Sequence, residues 1–162
     1  MSQTNSLDLD SDRTAIIAMR ILNAPRALVW KVWSDPEHLA HWWGPDGFSI
    51  TTHSFDMRPG GVWRFVMHGP DGRDYQNRIT YEEIVPPERL VTRHGGGDDV
   101  EPVQFRTTVT LDDLGAKTRL TMRMQFTSAE IRKQIIDAYG ADKGLVQTLA
   151  RLDAHLETIS GG

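Results

Sequence analysis

The chain has 162 residues, a formal net charge of −4 and no cysteine. That length suits one domain with a full hydrophobic core, and the lack of cysteine removes disulfides, thiol catalysis and cysteine metal sites, as expected of a cytoplasmic protein in a reducing compartment. Charges of both signs are interspersed, the N-terminus lacks the basic-then-apolar order of a secretion signal, and no apolar run is long enough to span a bilayer, so neither nucleic-acid binding nor membrane insertion is expected.

Residues 1–13 are polar and are expected to fray, leaving a single domain over 14–160. Residues 14–23 (TAIIAMRILN) are apolar and β-branched enough for a first strand, broken at Ala24 and Pro25. Pro25 suits the first turn of a helix over 25–32, and Ser34 or Asp35 can cap a second over 37–43, which Gly44 and Pro45 stop. From there apolar and polar residues alternate. The pattern predicts strands over 48–56, 62–68, 73–85, 89–94, 103–111 and 117–126, separated by turns rich in glycine, proline and aspartate. Ser128 is placed to cap a short helix to about residue 138.

The last predicted element, a helix over 142–160 with Asp142 at its start, organises the rest. Leu145, Leu149, Leu152, Leu156 and Ile159 recur at steps of four, three, four and three, which puts them on one helical face. Consecutive strands with helices grouped at the ends of the chain make an α+β domain, and the apolar face of a seven-stranded antiparallel sheet needs this helix as its cover. Leu152, Leu156 and Ile159 are expected to pack as core, and Gly144, Leu145, Thr148 and Leu149 to wall any pocket.

Alternation also places the sheet residues of such a pocket. If Trp63, Phe65 and Met67 face the helix, their neighbours come from Tyr75, Asn77, Ile79 and Tyr81, with Phe105, Thr107, Met122 and Met124 from later strands. Asn77, Thr107 and Thr148 would be polar groups in an apolar wall, a common composition for a ligand site. Trp42 and Trp43 cannot both point the same way, so one can enter the core while the other forms the lip of the opening. His38 and His41 are three apart on a short helix, yet no third ligand follows at a recognisable spacing. No metal and no cofactor are expected. No Ser/His/Asp order or nucleophile elbow is present, and general acid–base chemistry would have only Asn77, Tyr81, His94 and Asp153 to draw on.

The ordered set Asp35, Pro36, His38, Leu39, Trp42, Trp43, Gly44, Pro45, Gly47 and Phe48, then Asp56, Arg58, Pro59, Gly60, Gly61 and Trp63, resembles the SRPBCC superfamily. The group it is most similar to is that of the bacterial relatives of the C-terminal domain of the heat-shock protein 90 ATPase activator. Asp71 and Gly72, the run YEEIVPPERL from Tyr81, and Arg151, Leu152, His155 and Leu156 extend the likeness over nearly the whole chain after Thr14. The resemblance implies a helix-grip fold, START-like or birch-pollen-allergen-like, in which a curved seven-stranded sheet wraps a long C-terminal helix and often leaves an apolar cavity. Two positions depart from the family's habit. Leu145 stands where a Trp is common, which removes an aromatic wall, and Ile79 stands where a Gly is frequent, which adds bulk to the sheet.

The leading expectation is a module that binds a small apolar or aromatic molecule between sheet and helix. An enzyme of the cyclase, aromatase or hydrolase kind is the alternative, and a chaperone-directed role like that of the ATPase activator ranks last. A homodimer is compatible with the sequence.

Overall fold

The computed structural model describes residues 5–96 and 105–160. Its elements are β1 (Asn5–Asp8), β2 (Ala15–Leu22), α1 (Arg26–Trp33), α2 (Pro36–Trp42), β3 (Ser49–Phe55), β4 (Val62–His68), β5 (Asp74–Val85), β6 (Arg89–Gly96), β7 (Phe105–Asp113), β8 (Thr118–Phe126), α3 (Ala129–Tyr139) and α4 (Ala141–Ser160). Alternation has the expected consequence. On β8, Thr118, Leu120, Met122, Met124 and Phe126 are buried while the residues between them are half-exposed.

One eight-stranded antiparallel sheet results, in the order β1-β2-β8-β7-β6-β5-β4-β3. The first long strand, β2, lies beside the last, β8, and α1 and α2 carry the chain from there to the opposite edge at β3. Register shifts between Thr52 and Ser54 on β3 and between Tyr81 and Glu83 on β5 mark irregularities of the bulge type, which bend and twist a sheet locally. Helix α4 packs against β2, α1, α2 and α3. Its Leu145, Leu149, Leu152 and Leu156 join the core with Met122, Met124 and Trp63, each fully buried leucine contributing roughly 1.5–3 kcal/mol.

Two expectations are corrected. Asn5–Asp8 is not frayed but pairs with Arg20 to Ile17 as the edge strand β1. The backbone edge of β2 recruits it, and the Arg132 guanidinium fastens the following segment by donating to the carbonyls of Leu9, Asp12 and Ala15. Ile159 is 36% exposed, so the leucine stripe ends one turn before the helix does. Residues 103 and 104, expected to open a strand, lie outside the described residues.

The caps fall where the residues allow. Asp35 accepts from the Glu37 backbone N–H at 2.9 Å and Ser128 from that of Ile131 at 3.1 Å. Helix α4 is held by polar contacts as well as by its leucines. Arg20 on β2 pairs with Asp153 at 3.1 Å. Arg151 Nη1 lies 2.9, 3.0 and 3.1 Å from the carbonyl oxygens of Gly44, Pro45 and Phe48, and Nη2 lies 3.4 Å from that of His41. Gly44 makes this possible. Its φ of +102° favours glycine, and a Cβ there would sit 3.1 Å from Met67 Cε and 3.2 Å from Phe48 Cβ.

Arg151→Ala is therefore expected to cost about 3 kcal/mol, a drop of roughly 8 °C in Tm. Arg151→Lys should recover little of it, because the lysine side chain is one bond shorter and its ammonium would stop short of the carbonyls that converge on Nη1. Thermal melts of both variants check this, and a lysine variant as stable as the parent would mean that the reach of the guanidinium is not what holds the loop.

Candidate functional site

The helix is close to one half of the sheet and stands off from the other. Between α4 and the strands β4 to β8 lies a cavity of about 990 Å³, at the upper end of the roughly 300–1,000 Å³ usual for small-molecule sites. Its mouth is marked by the exposed residues Asp46, Asp74, Gln76, Lys143 and Gln147. The Asp46 backbone N–H donates to Gln147 Oε1 at 3.2 Å, which ties the α2–β3 loop to the helix on this side.

Of the residues picked out by alternation and helical spacing, Trp43, Trp63, Met67, Asn77, Ile79, Phe105, Thr107, Met122, Met124, Leu145 and Thr148 line this cavity. Trp42, Phe65 and Leu149 do not line it. Trp42 is the last residue of α2 and fully buried, its indole N–H donating to the Val32 carbonyl at 3.2 Å. Trp43 already has extended backbone (φ −69°, ψ 131°), which sends its ring elsewhere, edge-on to Trp63 at 5.1 Å. Phe65 is fully buried and stacked on Trp63 at 4.0 Å. Leu149 lines a separate shallow groove with Ala18 and Arg20 of β2.

Local patterning did not single out several wall residues. Trp33 reaches the cavity from α1, Leu90 and Thr92 from β6 beside His94, which the sequence offers for acid–base chemistry, and Ile135 and Ala138 from α3. The signal was present for β6, where Leu90, Thr92 and His94 alternate as a strand face should. For α3 the only hint was the spacing of Ile131 and Ile135.

Polar groups inside are held by one another. Asn77 Nδ2 donates to the Tyr75 carbonyl at 3.0 Å, which turns Asn77 Oδ1 toward His94 Nε2, 2.8 Å away. The amide thus assigns the proton of a neutral imidazole to Nε2. The His94 ring stacks on Phe105 at 4.7 Å with 20° between planes. Thr148 donates to the Gly144 carbonyl of its own helix at 2.8 Å, and Thr92 lies opposite Thr107 across β6 and β7. Burial pushes the Tyr81 phenol up, so it is a neutral group at physiological pH. Asp153, a candidate for acid–base chemistry by sequence, is outside the cavity and paired with Arg20.

On the outer side of α4, His38 Nδ1 and His155 Nε2 are 2.9 Å apart, and the His41 ring stacks on His155 at 5.0 Å. Burial and the neighbouring His41 and His38 hold His155 below the ordinary histidine range. The cluster joins α2 to α4. Among the described residues no group of three or more His, Asp or Glu is placed to hold a metal ion, and no helix is long and apolar enough to cross a membrane.

Comparison with known proteins places this architecture. The family of Activator of Hsp90 ATPase homolog 1-like proteins matches residues 23–157. A solution structure of a protein from Arthrobacter aurescens is 26% identical, covers 96% of this chain and 93% of its own, and superposes with a TM-score of 0.87. The crystal structure of Ms6760 from Mycobacterium smegmatis, 24% identical, covers 93% of this chain and 95% of its own with a TM-score of 0.80. DynU16, from the dynemicin biosynthetic locus, shares the fold at 22% identity and a TM-score of 0.63, with 90% of this chain aligned to 48% of that one. No curated protein matches the chain.

Burial depresses His94 from the usual 6.5 to about 4. Below pH 6.5 the unfolded chain takes up a proton that the folded protein refuses, so this contribution is complete above 6.5 and is lost as pH falls toward 4. The loss should reach about 3 kcal/mol. Urea titrations between pH 7 and 4 should show a shallower pH dependence for His94→Phe than for the parent; parallel curves would mean that His94 is free to protonate.

Proposed function

The chain belongs to the family of Activator of Hsp90 ATPase homolog 1-like proteins, and from that premise we propose that it holds one small apolar or aromatic molecule between its sheet and α4. The observation that carries this reading is the cavity of about 990 Å³ with its wall of large apolar side chains. Aromatic rings border it from several elements: Trp33 from α1, Trp43 and Phe48 after α2, Trp63 from β4, Tyr75 and Tyr81 from β5, and Phe105 from β7. Flat ligands gain from such walls beyond the area they bury, because ring pairs add about 0.5–1.5 kcal/mol each. Met67, Met122 and Met124 let the wall adapt to an irregular outline.

A second reading has one observation in its favour. His94 borders the cavity with an unprotonated ring nitrogen, the group an enzyme of the cyclase or hydrolase kind would need as base, and the burial that keeps it neutral also weakens it in that role. A chaperone-directed role draws no comparable support from the site.

Leu145 offers the test. It lies on the first turns of α4 in the cavity wall, and Leu145→Trp should fill part of the space. A thermal-shift screen of aromatic and polyketide-like compounds against the parent should find ligands that raise Tm, and the variant should bind them at least tenfold more weakly at equal or higher intrinsic Tm. Compounds that stabilise both proteins equally would place binding elsewhere, and no stabilising compound at all would count against a ligand cavity.

A further inference from the structure

The deepest polar feature of the cavity points to a more specific ligand, on the reading that a ligand is held there. Three contacts fix the His94 ring. Its Nε2 donates to Asn77 Oδ1 at 2.8 Å, the Asn77 amide is locked in that sense by its own bond to the Tyr75 carbonyl at 3.0 Å, and Phe105 covers one face at 4.7 Å. A neutral imidazole whose Nε2 carries the proton has a bare lone pair on Nδ1. Among the described residues nothing donates to that nitrogen, although the side chain is only part-covered and borders the cavity. The ring is thus an oriented acceptor that cannot swing away to find water.

We propose that the cavity selects aromatic ligands carrying a hydroxyl group, whose O–H donates to Nδ1 of His94. A phenolic or enolic hydroxyl on a flat ring system meets both halves of the wall: the rings of Trp43 and Phe105 take its face, and His94 takes its proton-bearing edge. Asn77 is a positioning residue that assigns the tautomer. Arenes without a donor leave Nδ1 desolvated and unpaired, which disfavours them relative to hydroxyarenes of the same size.

Equilibrium dialysis of the full chain against 2-naphthol, 2-methoxynaphthalene and naphthalene tests this. The expected result is about tenfold tighter binding of 2-naphthol than of its methyl ether, the effect of one neutral hydrogen bond plus the relieved acceptor. His94→Phe should keep binding 2-methoxynaphthalene and lose the preference, and Asn77→Leu should weaken the preference by freeing the tautomer. In the unaltered protein, the ¹⁵N resonance of His94 Nδ1 should move on adding 2-naphthol and stay on adding the ether, a readout independent of how the variants fold. Equal affinity for alcohol and ether, or a preference that survives in a folded His94→Phe, overturns the assignment of His94 while leaving the cavity as a site. Failure of all three probes to bind overturns the cavity reading and this inference with it.

Discussion

One guanidinium sets the distance between the terminal helix and the loop at the cavity mouth. Arg151 projects from α4 into the turn after α2 and reaches the carbonyls of Gly44, Pro45 and Phe48 together. Such carbonyls would otherwise need water, and a cation would otherwise be costly to withdraw from it, so each side of the contact requires the other. The loop sequence follows from that need. Gly44 adopts a positive φ in a space that a side chain would overfill, and Gly144 on α4 brings the helix against Pro45, whose Cγ would lie 3.3 Å from any Cβ. Trp43, next to this turn, is held with its ring toward the cavity and against Trp63.

A helix fastened by polar contacts can cover a sheet without settling into it. Arg151 at the loop, Arg20 with Asp153 at β2, and the His38 and His155 pair at α2 hold α4 along the side where its leucines are buried. Among the described residues no hydrogen bond or ion pair is seen between α4 and strands β4 to β8. The side chains there are large, and several are braced by ring contacts: Trp63 on Phe65, Trp43 on Trp63, His94 on Phe105. Rings braced in this way cannot collapse to close the gap. Braced rings of this kind keep the cavity open, which is the shape that the proposed ligand site needs.

Much of the fold was legible because it rests on local periodicity. The alternation of Leu120, Met122, Met124 and Phe126 and the leucine steps of α4 each name a buried face without reference to the rest of the chain. What escaped depends on partners distant in sequence. Nothing within the polar segment Asn5–Asp8 announces a strand; it exists because β2 presents an edge. The site divides in the same way. Trp63, Met67, Asn77, Ile79 and the residues of β7 and β8 follow from a period of two, whereas Trp42 and Trp43 exchange roles because the helix ends between them. His94 is offered by the sequence for acid–base chemistry at the end of its strand, and Leu90 and Thr92 on the same strand face were readable from the same alternation. Asn77 was expected as a ligand anchor, and the structure engages its amide with Tyr75 and His94.

The methionines offer the most direct measurement of the central claim, that the space between α4 and the sheet receives a small aromatic molecule. Met67, Met122 and Met124 border the cavity, while Met19 and Met57 do not. With ¹³C-labelled ε-methyl groups, titration with an aromatic ligand should move the resonances of the first three in a saturable manner and leave the other two in place. Shifts confined to Met19 or Met57, or no saturable shift in Met67, Met122 and Met124 for any aromatic compound, would contradict the account.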